Sequence, residues 1–464
     1  MFLMRDEGEI MQYQGLKSRH TCFLFVLLFC SGLWAADFRA GVARVDITPE
    51  LPIWMSGYAA RKEPAKTILQ KLWAKALVLE DKGGKRVALV SMDLIGLPAE
   101  VTHSVADRVR KEYGLERAQL LLNTSHTHSG PVVRPNLNVM YDMPAQDAES
   151  ADRYRHNLCN RLVEVVGKAL QSMKPAVLHI GFGQTGFAIN RRQVTAKGMS
   201  IGVNPSGPVD HQVPVLRVQA EEGSLSAVLF GYACHNTTLG GDSFRIHGDY
   251  AGFAQEEIER KHPGTVALFF ILCGADQNPN PRGTVEHAQR YGRELAEAVE
   301  RTLERTLRSV KGGIRTSYRE TQLEFAAHSR QQFEKELQEK DPFRQRRARL
   351  MLEAYDQGKP VRSIAYPVQA VRLGDDFAFL ALGGEVVVDY SLRAKREFPR
   401  ENLVVAGYCN DVACYIPSLR VLREGGYEPV DSMIYYAQPG PLAENVEETI
   451  FTSVHRVMAR AGAK

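Results

Sequence analysis

Cysteine is scarce in this chain, and what there is excludes a disulfide framework. Of the seven cysteines, Cys22 and Cys30 fall in an apolar N-terminal run, leaving Cys159, Cys234, Cys273, Cys409 and Cys414, an odd and sparse set. A body with so few thiols must be stable through its core. Cys234, Cys273 and Cys409 each close an apolar run, where a thiol behaves as a small buried hydrophobe rather than a ligand. Charge of one sign is missing too. The formal net charge of +4 is small and scattered over 464 residues, so there is no footprint for nucleic acid. Internal repeats and low-complexity linkers are absent, which removes solenoids and flexible arrays. With 44 % hydrophobic and 24 % charged residues the composition is ordinary, so disorder and fibrous classes drop out. The length allows two or three domains, or one large α/β domain.

Long apolar runs are also missing, with one exception. Lys17, Arg19 and His20 precede the run Thr21 to Trp34 (TCFLFVLLFCSGLW), which ends at Ala35-Ala36 before Asp37. That is the layout of a secretory signal peptide with an upstream extension, too short for a membrane span, and a retained anchor is the alternative. The expectation is therefore a signal segment over 1–36 and an exported body over 37–464. Met11 is a candidate start, and Cys30, preceded by bulky Phe29, is a poor lipidation site.

Between Gly41 and Gly407 short Val-, Leu- and Phe-rich runs alternate with amphipathic charged segments of helical length. This predicts an α/β fold with largely buried strands. Strands are expected at Val42–Val45, Leu72–Leu79, Val87–Ser91, Gln119–Asn123, Val177–Gly181, Val213–Val218, Ala227–Cys234, Thr265–Cys273, Val368–Leu373, Phe377–Leu382 and Leu403–Cys409. Helices are expected at Ala99–Tyr113, Ser150–Ser172, Tyr250–Lys261, Val285–Leu307, Ser329–Asp356, Val388–Glu397 and Leu442–Ala459. In the Arg-rich segment Ser329 to Lys359, Met351, Leu352 and Tyr355 share one helical face and mark its buried side.

The strand endings carry the chemistry. Gln119–Asn123 leads into Thr124-Ser125-His126-Thr127-His128-Ser129-Gly130-Pro131, where the Gly-Pro pair turns the backbone. Ala227–Cys234 leads into His235, followed later by His247-Gly248-Asp249. Thr265–Cys273 leads into Gly274-Ala275-Asp276-Gln277-Asn278-Pro279-Asn280, Phe377–Leu382 into Gly383-Gly384-Glu385, and Leu403–Cys409 into Asn410-Asp411. In open α/β sheets sites form beyond the carboxyl ends of strands, so five such endings argue for one shared site. Two imidazoles one residue apart can present nitrogens to a small volume, and catalytic zinc takes nitrogen and oxygen ligands while keeping a position for water. His126, His235 and Glu385 can supply three ligands if their loops meet; the alternative is that these are ordinary polar loop residues.

The segment His126-Thr-His-Ser-Gly-Pro131 resembles the HTHSGP signature of the neutral/alkaline ceramidases, zinc amidases that cleave the N-acyl bond of ceramide. The resemblance continues in order through Gly41-Val-Ala-Arg-Val-Asp-Ile-Thr48, Met55-Ser-Gly-Tyr58, Asn190-Arg191, Ala233-Cys-His235, Gly248-Asp249, Gly384-Glu385, Asn410-Asp411-Val-Ala-Cys-Tyr415 and Tyr427-Glu428. It implies mixed sheets flanked by helices in a single large catalytic domain. By the same resemblance one zinc ion (Zn2+) would be held by His126, His235, Glu385 and Tyr415. His128 and Arg191, with Tyr427, would face the substrate carbonyl and stabilise its oxyanion. The implied partner is a small-molecule or lipid N-acyl substrate, the latter met at a membrane surface.

Two departures qualify the resemblance. The family pattern Gly-Asp-x-Ser-Pro-Asn reads Ala275-Asp276-Gln277-Asn278-Pro279-Asn280 here, so Asn278 replaces the serine implicated in catalysis. A carboxamide nitrogen is no nucleophile, which excludes a seryl intermediate unless another hydroxyl substitutes; Asn278 can still donate to an oxyanion. Asp276 is available to orient or deprotonate water, or simply to cap backbone amides. Secondly, the sequence ends soon after the Leu442–Ala459 helix, and the expectation is a catalytic domain without the family's C-terminal β domain. The expectation is an exported zinc amidohydrolase that uses metal-activated water and loses activity below about pH 6 as histidines protonate. A same-fold hydrolase of another amide or ester, and an inactive zinc-stabilised binding protein, are the alternatives.

Overall fold

The computed structural model describes residues 37–375 and 377–463. The signal segment expected over 1–36 lies outside the described residues. Strands Val266–Ile271, Leu225–Tyr232, Gln212–Ala220, Lys174–Gln184, Phe38–Asp46, Trp73–Asp81, Arg86–Met92 and Leu120–Thr124 stand side by side in that order in a mixed sheet. The pair Arg308–Ser309 joins it on Lys174–Gln184. A second sheet holds Ile314–Glu324, Ser363–Leu373, Phe377–Leu382 and Asn402–Ala406.

Alternation along the strands decides what packs where. Leu77, Leu79, Leu121, Leu229 and Phe270 of the first sheet meet Val371, Leu373, Phe379 and Val404 of the second in a dry layer between them. The intervening residues face the other way. Ala76, Val78, Val90 and Leu122 take helices Ala99–Tyr113 and Ala145–Gln171 through Val101, Val105, Val109, Leu162 and Val166. Val228, Phe230 and Phe269 take Asp249–Lys261 and Val285–Leu303, while Ala378, Leu380 and Val405 take Val388–Glu397 and Val446–Arg460. Helices therefore cover both outer faces of two stacked sheets. Among the described residues no helix is long and apolar enough to cross a membrane.

The expected strands and helices form, with shifted ends, and three differences have physical causes. The helix expected over Ser329–Asp356 is two, Arg330–Glu336 and Pro342–Asp356. Pro342 cannot continue a helix but suits a first turn, and Asp341 caps that turn through Phe343 N at 2.8 Å. Met351 is buried against Phe333 and Ala348, with Leu352 and Tyr355 partly packed there, as the helical spacing predicts. Strand Ile314–Glu324 and the hairpin Ala188–Thr195/Gly198–Asn204 were not foreseen, because both carry too many polar residues to read as apolar runs.

One buried side chain ties the strand ends together. Asn123 Nδ2 donates to Gly407 O at 2.9 Å and Ile271 O at 3.2 Å, and its Oδ1 accepts from Ile271 N at 2.9 Å. Three strands from both sheets are thus fastened where the His126 loop leaves the sheet. Asn123→Leu keeps the branched shape and strands these buried backbone groups without partners, so unfolding stability is expected to fall by about 2–4 kcal/mol in a denaturant titration; an unchanged midpoint would show that the fastening is dispensable.

Candidate metal and catalytic centre

The loops that leave these strands are knitted to one another before any side chain is considered. Ser125 N and His126 N donate to Met92 O and Leu94 O, each at 2.8 Å, and Asn236 Nδ2 donates to Ser125 O at 2.6 Å. His128 N in turn donates to Asn236 O at 3.2 Å. The loops carrying His126 and His235 therefore form one unit. His126 has φ +60°, a left-handed conformation costly for a non-glycine residue and held here by those two backbone bonds. Glu385 and Tyr415 are direct partners in a short parallel ladder, Glu385–Val386 with Tyr415–Ile416. Gly384, at φ +71°, makes the turn into that ladder; a Cβ there would lie 2.7 Å from Cys414 O.

Hydrogen bonding decides where the imidazole protons sit. His126 Nδ1 lies 2.6 Å from Ile95 O and His235 Nδ1 lies 2.9 Å from Gly274 O. A carbonyl only accepts, so both rings carry hydrogen on Nδ1, and in the neutral form Nε2 is left as a bare lone pair. The bare nitrogens converge. Glu385 Oε2 is 3.1 Å from each, and Tyr415 Oη is 3.2 Å from His235 Nε2. His128 Nε2 lies 3.0 Å from His126 Nε2. Glu385 is pinned from behind by the hydroxyl of Tyr436, which donates to Oε1 at 2.5 Å, and more weakly by that of Tyr408 on Oε2 at 3.4 Å.

Burial sets the protonation of this cluster. It pushes His128 well below the usual imidazole range, helped by the neighbouring rings of His126 and His235. Burial, with Arg191 nearby, lowers His235 to about 4. Burial alone would raise Glu385, but the imidazoles of His126 and His235 hold its carboxyl well below the carboxylate range. Tyr415 is driven well above the phenol range, first by burial and then by Glu385. At neutral pH His128 and His235 are thus neutral and Glu385 is a carboxylate, their donor atoms crowded toward one point. Lone pairs and an anion crowded together in a dry interior repel unless a cation lies between them. The ligand atoms of His126, His128 and His235 lie within 4.8 Å of one another, and this group can hold a metal ion. Nitrogen, carboxylate and phenol donors in this number suit a divalent ion of intermediate softness.

Beside the cluster stands a buried ionic group. Arg191 Nη2 donates to Tyr415 Oη at 3.1 Å, Nη1 to Asn278 Oδ1 at 3.3 Å, and Nε to Glu428 Oε1 at 2.9 Å. Arg192 Nη1 binds the other Glu428 oxygen, and Arg192 Nη2 reaches Glu424 at 3.0 Å. Two buried guanidiniums share one carboxylate, and losing it would cost about 3–5 kcal/mol, which fixes Arg191 in place. A guanidinium only donates, so Asn278 turns its amide oxygen toward Arg191 and Thr237 Oγ, 3.4 Å away, and its amide nitrogen to the opposite side. The Tyr427 ring lies under Arg191 Cζ at 5.7 Å and edge-on to Tyr415 at 5.6 Å.

Asp276 stands apart. Its Oδ1 accepts from Val388 N at 2.9 Å, at the start of helix Val388–Glu397, and its Oδ2 from Asn190 Nδ2 at 3.1 Å. Burial raises its carboxyl to about 7. Its link to the site is the backbone oxygen, which takes Arg191 N at 2.8 Å, so its bonds describe the capping alternative rather than a water-activating base. Sequence reasoning assigned His128 to the substrate side alone, whereas its Nε2 lies within the metal-competent group. It missed Tyr408 and Tyr436 altogether. Tyr408 had a signal, since it lies within the run that ends at Cys409; Tyr436 lies in no motif, and only the fold brings it to Glu385.

Gly57 shows how closely the centre is built. At φ +93° it lies beneath the His128 ring, and a Cβ there would sit 2.3 Å from Nδ1. Arg61, buried, holds the same loop by donating to His128 O and Ser56 O, both at 2.7 Å.

The comparisons with known proteins agree with this geometry. The profile of the family described as neutral/alkaline non-lysosomal ceramidase, N-terminal, matches residues 38–295. Neutral ceramidase B of Dictyostelium discoideum is 28 % identical over 270 residues, covering 53 % of this chain and 36 % of the relative. The neutral ceramidase of Pseudomonas aeruginosa is 25 % identical over 271 residues, covering 56 % and 40 %. The chain thus matches well under half the length of these relatives. The crystal structure of the Pseudomonas aeruginosa enzyme superposes with a TM-score of 0.71 at 19 % identity, over 92 % of this chain and 75 % of that one. A ceramidase complexed with C2 superposes with a TM-score of 0.72 at 18 % identity and the same coverage. By the profile match over more than half its length, this chain belongs to the neutral/alkaline non-lysosomal ceramidase family.

Proposed function

We propose that the chain is an exported zinc-dependent amidohydrolase that cleaves an N-acyl, ceramide-like amide bond by attack of water. The observation that carries this reading is the convergence of the bare Nε2 atoms of His126 and His235 on Glu385 Oε2. His126, His235, Glu385 and Tyr415 would hold the ion. When bound, zinc supplies a Lewis acid that acidifies water and polarises a carbonyl.

The remaining work falls to the chain's own groups. Arg191, locked by Glu428, offers a fixed positive charge beside Tyr415, where an amide oxygen gains negative charge. Asn278 presents its amide nitrogen as a further donor, which suits a site that uses water and needs no seryl nucleophile. His128, less enclosed than His126 and His235, stands beside them and shares with Arg191 the stabilisation of the oxyanion. Tyr427 stacks beside Arg191 and keeps that side of the site dry and shaped. The asparagine at the position of the family's serine also favours a second reading, a metal-stabilised binding protein without turnover.

The test is a panel of variants assayed for bound metal and for hydrolysis of a fluorogenic N-acyl substrate. His235→Ala is expected to lose both. His128→Ala is expected to retain the metal and lose about 10²–10³ in kcat, and Asn278→Ala to lose about 10–10². Loss of metal from His128→Ala would make that residue a ligand, and metal-replete native protein with no turnover on amides or esters would favour the binding protein. The pH response follows from burial. His235 is lowered to about 4, so it stays neutral far below the usual imidazole range. Metal should then be retained through about pH 5 and released as pH falls through about 4, below the decline near pH 6 that unburied histidines would give. Release beginning near pH 6 would contradict the burial argument.

A further inference from the structure

The three-stranded sheet that carries the site continues outward to the surface. Its inner strand Gln277–Pro279 bears Asn278, its middle strand Ala188–Thr195 bears Arg191 and Arg192, and its outer strand is Gly198–Asn204. Register separates the two faces of the hairpin. Arg192 pairs with Ile201 and Val194 with Met199 on one face, while Gln193 with Ser200 and Thr195 with Gly198 occupy the other. The first face is apolar beyond Arg192 and the second is polar. Part of the apolar face is covered by the segment Glu424–Glu428. There Arg192 binds Glu424 and Glu428, and Met199 approaches Gly426 so closely that a Cβ would lie 2.9 Å from its own. The pair partners of these two residues on the same face stay open to solvent, Val194 opposite Met199 at 76 % exposed and Ile201 opposite Arg192 at 49 %, and Val430, three residues after Tyr427, is 43 % exposed.

We propose that this hairpin is a lipid-docking element that seats the hydrocarbon edge of a micelle or bilayer at the mouth of the site. The charge pattern fits that occupant. The stretch 188–204 contains no aspartate or glutamate, its two arginines are engaged with Glu424 and Glu428, and Lys197 at the turn can reach outward to headgroups. A second copy adding a strand to Gly198–Asn204 is disfavoured, because the register shift between Asn190 and Arg192 interrupts a regular edge. Exposed aliphatic side chains clustered on one face, continuous with a proposed lipid-amide site, lose contact with water by entering lipid. The proposal rests on the amidohydrolase reading for its purpose, but docking can be measured without turnover.

The experiment uses the full chain and phosphatidylcholine vesicles. Val194→Trp is expected to show blue-shifted emission on vesicle addition and quenching by brominated phosphatidylcholine, relative to the native chain under the same conditions. Val194→Ser/Ile201→Ser is expected to weaken vesicle partition at least about tenfold while leaving hydrolysis of a water-soluble short-chain N-acyl substrate unchanged. Emission from the Val194→Trp chain that is neither shifted nor quenched relative to the native chain overturns the proposal. So does vesicle binding that the double variant does not alter, or a native dimer in sedimentation equilibrium that the double variant dissociates, which would assign the face to a second copy. Failure of the enzymatic reading is distinguishable, because it would abolish turnover and leave the fluorescence change in place.

Discussion

Everything at this centre follows from two protons being somewhere else. Because Ile95 O and Gly274 O each claim an Nδ1 hydrogen, the rings of His126 and His235 in their neutral form turn lone pairs inward, toward a carboxylate that has no proton to give. A buried cluster of that kind is unfavourable as it stands and becomes favourable around a cation. The same carbonyls that fix the tautomers also fix the ring orientations, which is the usual role of groups behind metal-binding imidazoles. Tyr436 does the equivalent for Glu385, holding one oxygen so that the other faces the histidines.

The fold exists, in functional terms, to make those four loops meet. Two stacked sheets bring strand ends from distant parts of the chain to one edge, and Asn123 bonds to the backbone of two neighbouring strands at that edge. The left-handed His126 and the tight approach of Gly57 to His128 are tolerated only on such a braced platform. The Arg191–Glu428–Arg192 group then links the centre to the hairpin. The hairpin and the Asn278 strand beside the centre are thereby parts of one three-stranded sheet.

Much of this was readable in the residues, and the pattern of what was not is physical. Apolar runs ending in glycine or ligand-type side chains marked the correct strand ends, since burial on both faces leaves a continuous hydrophobic signal. His126, His235, Glu385 and Tyr415 came from motif order and do converge. Strand Ile314–Glu324 escaped notice because only Ile314, Ser317 and Leu323 are buried in it and charged residues stand on both of its faces. The break at Asp341-Pro342 was overlooked in favour of a long helical period, although proline and a capping aspartate stood in the sequence. Tyr436 and the apolar face of the hairpin are different in kind. Their significance lies in contacts between segments far apart in the chain, which no local spacing announces.

The central claim is that one cation sits between the bare nitrogens of His126 and His235 and the carboxylate of Glu385. X-ray absorption at the zinc edge of the purified protein tests it most directly. The account predicts a first shell of nitrogen and oxygen only, at about 2.0–2.2 Å, with the outer scattering of at least two imidazoles. A shell containing sulfur at about 2.3 Å, or protein that takes up no metal at neutral pH, would contradict it.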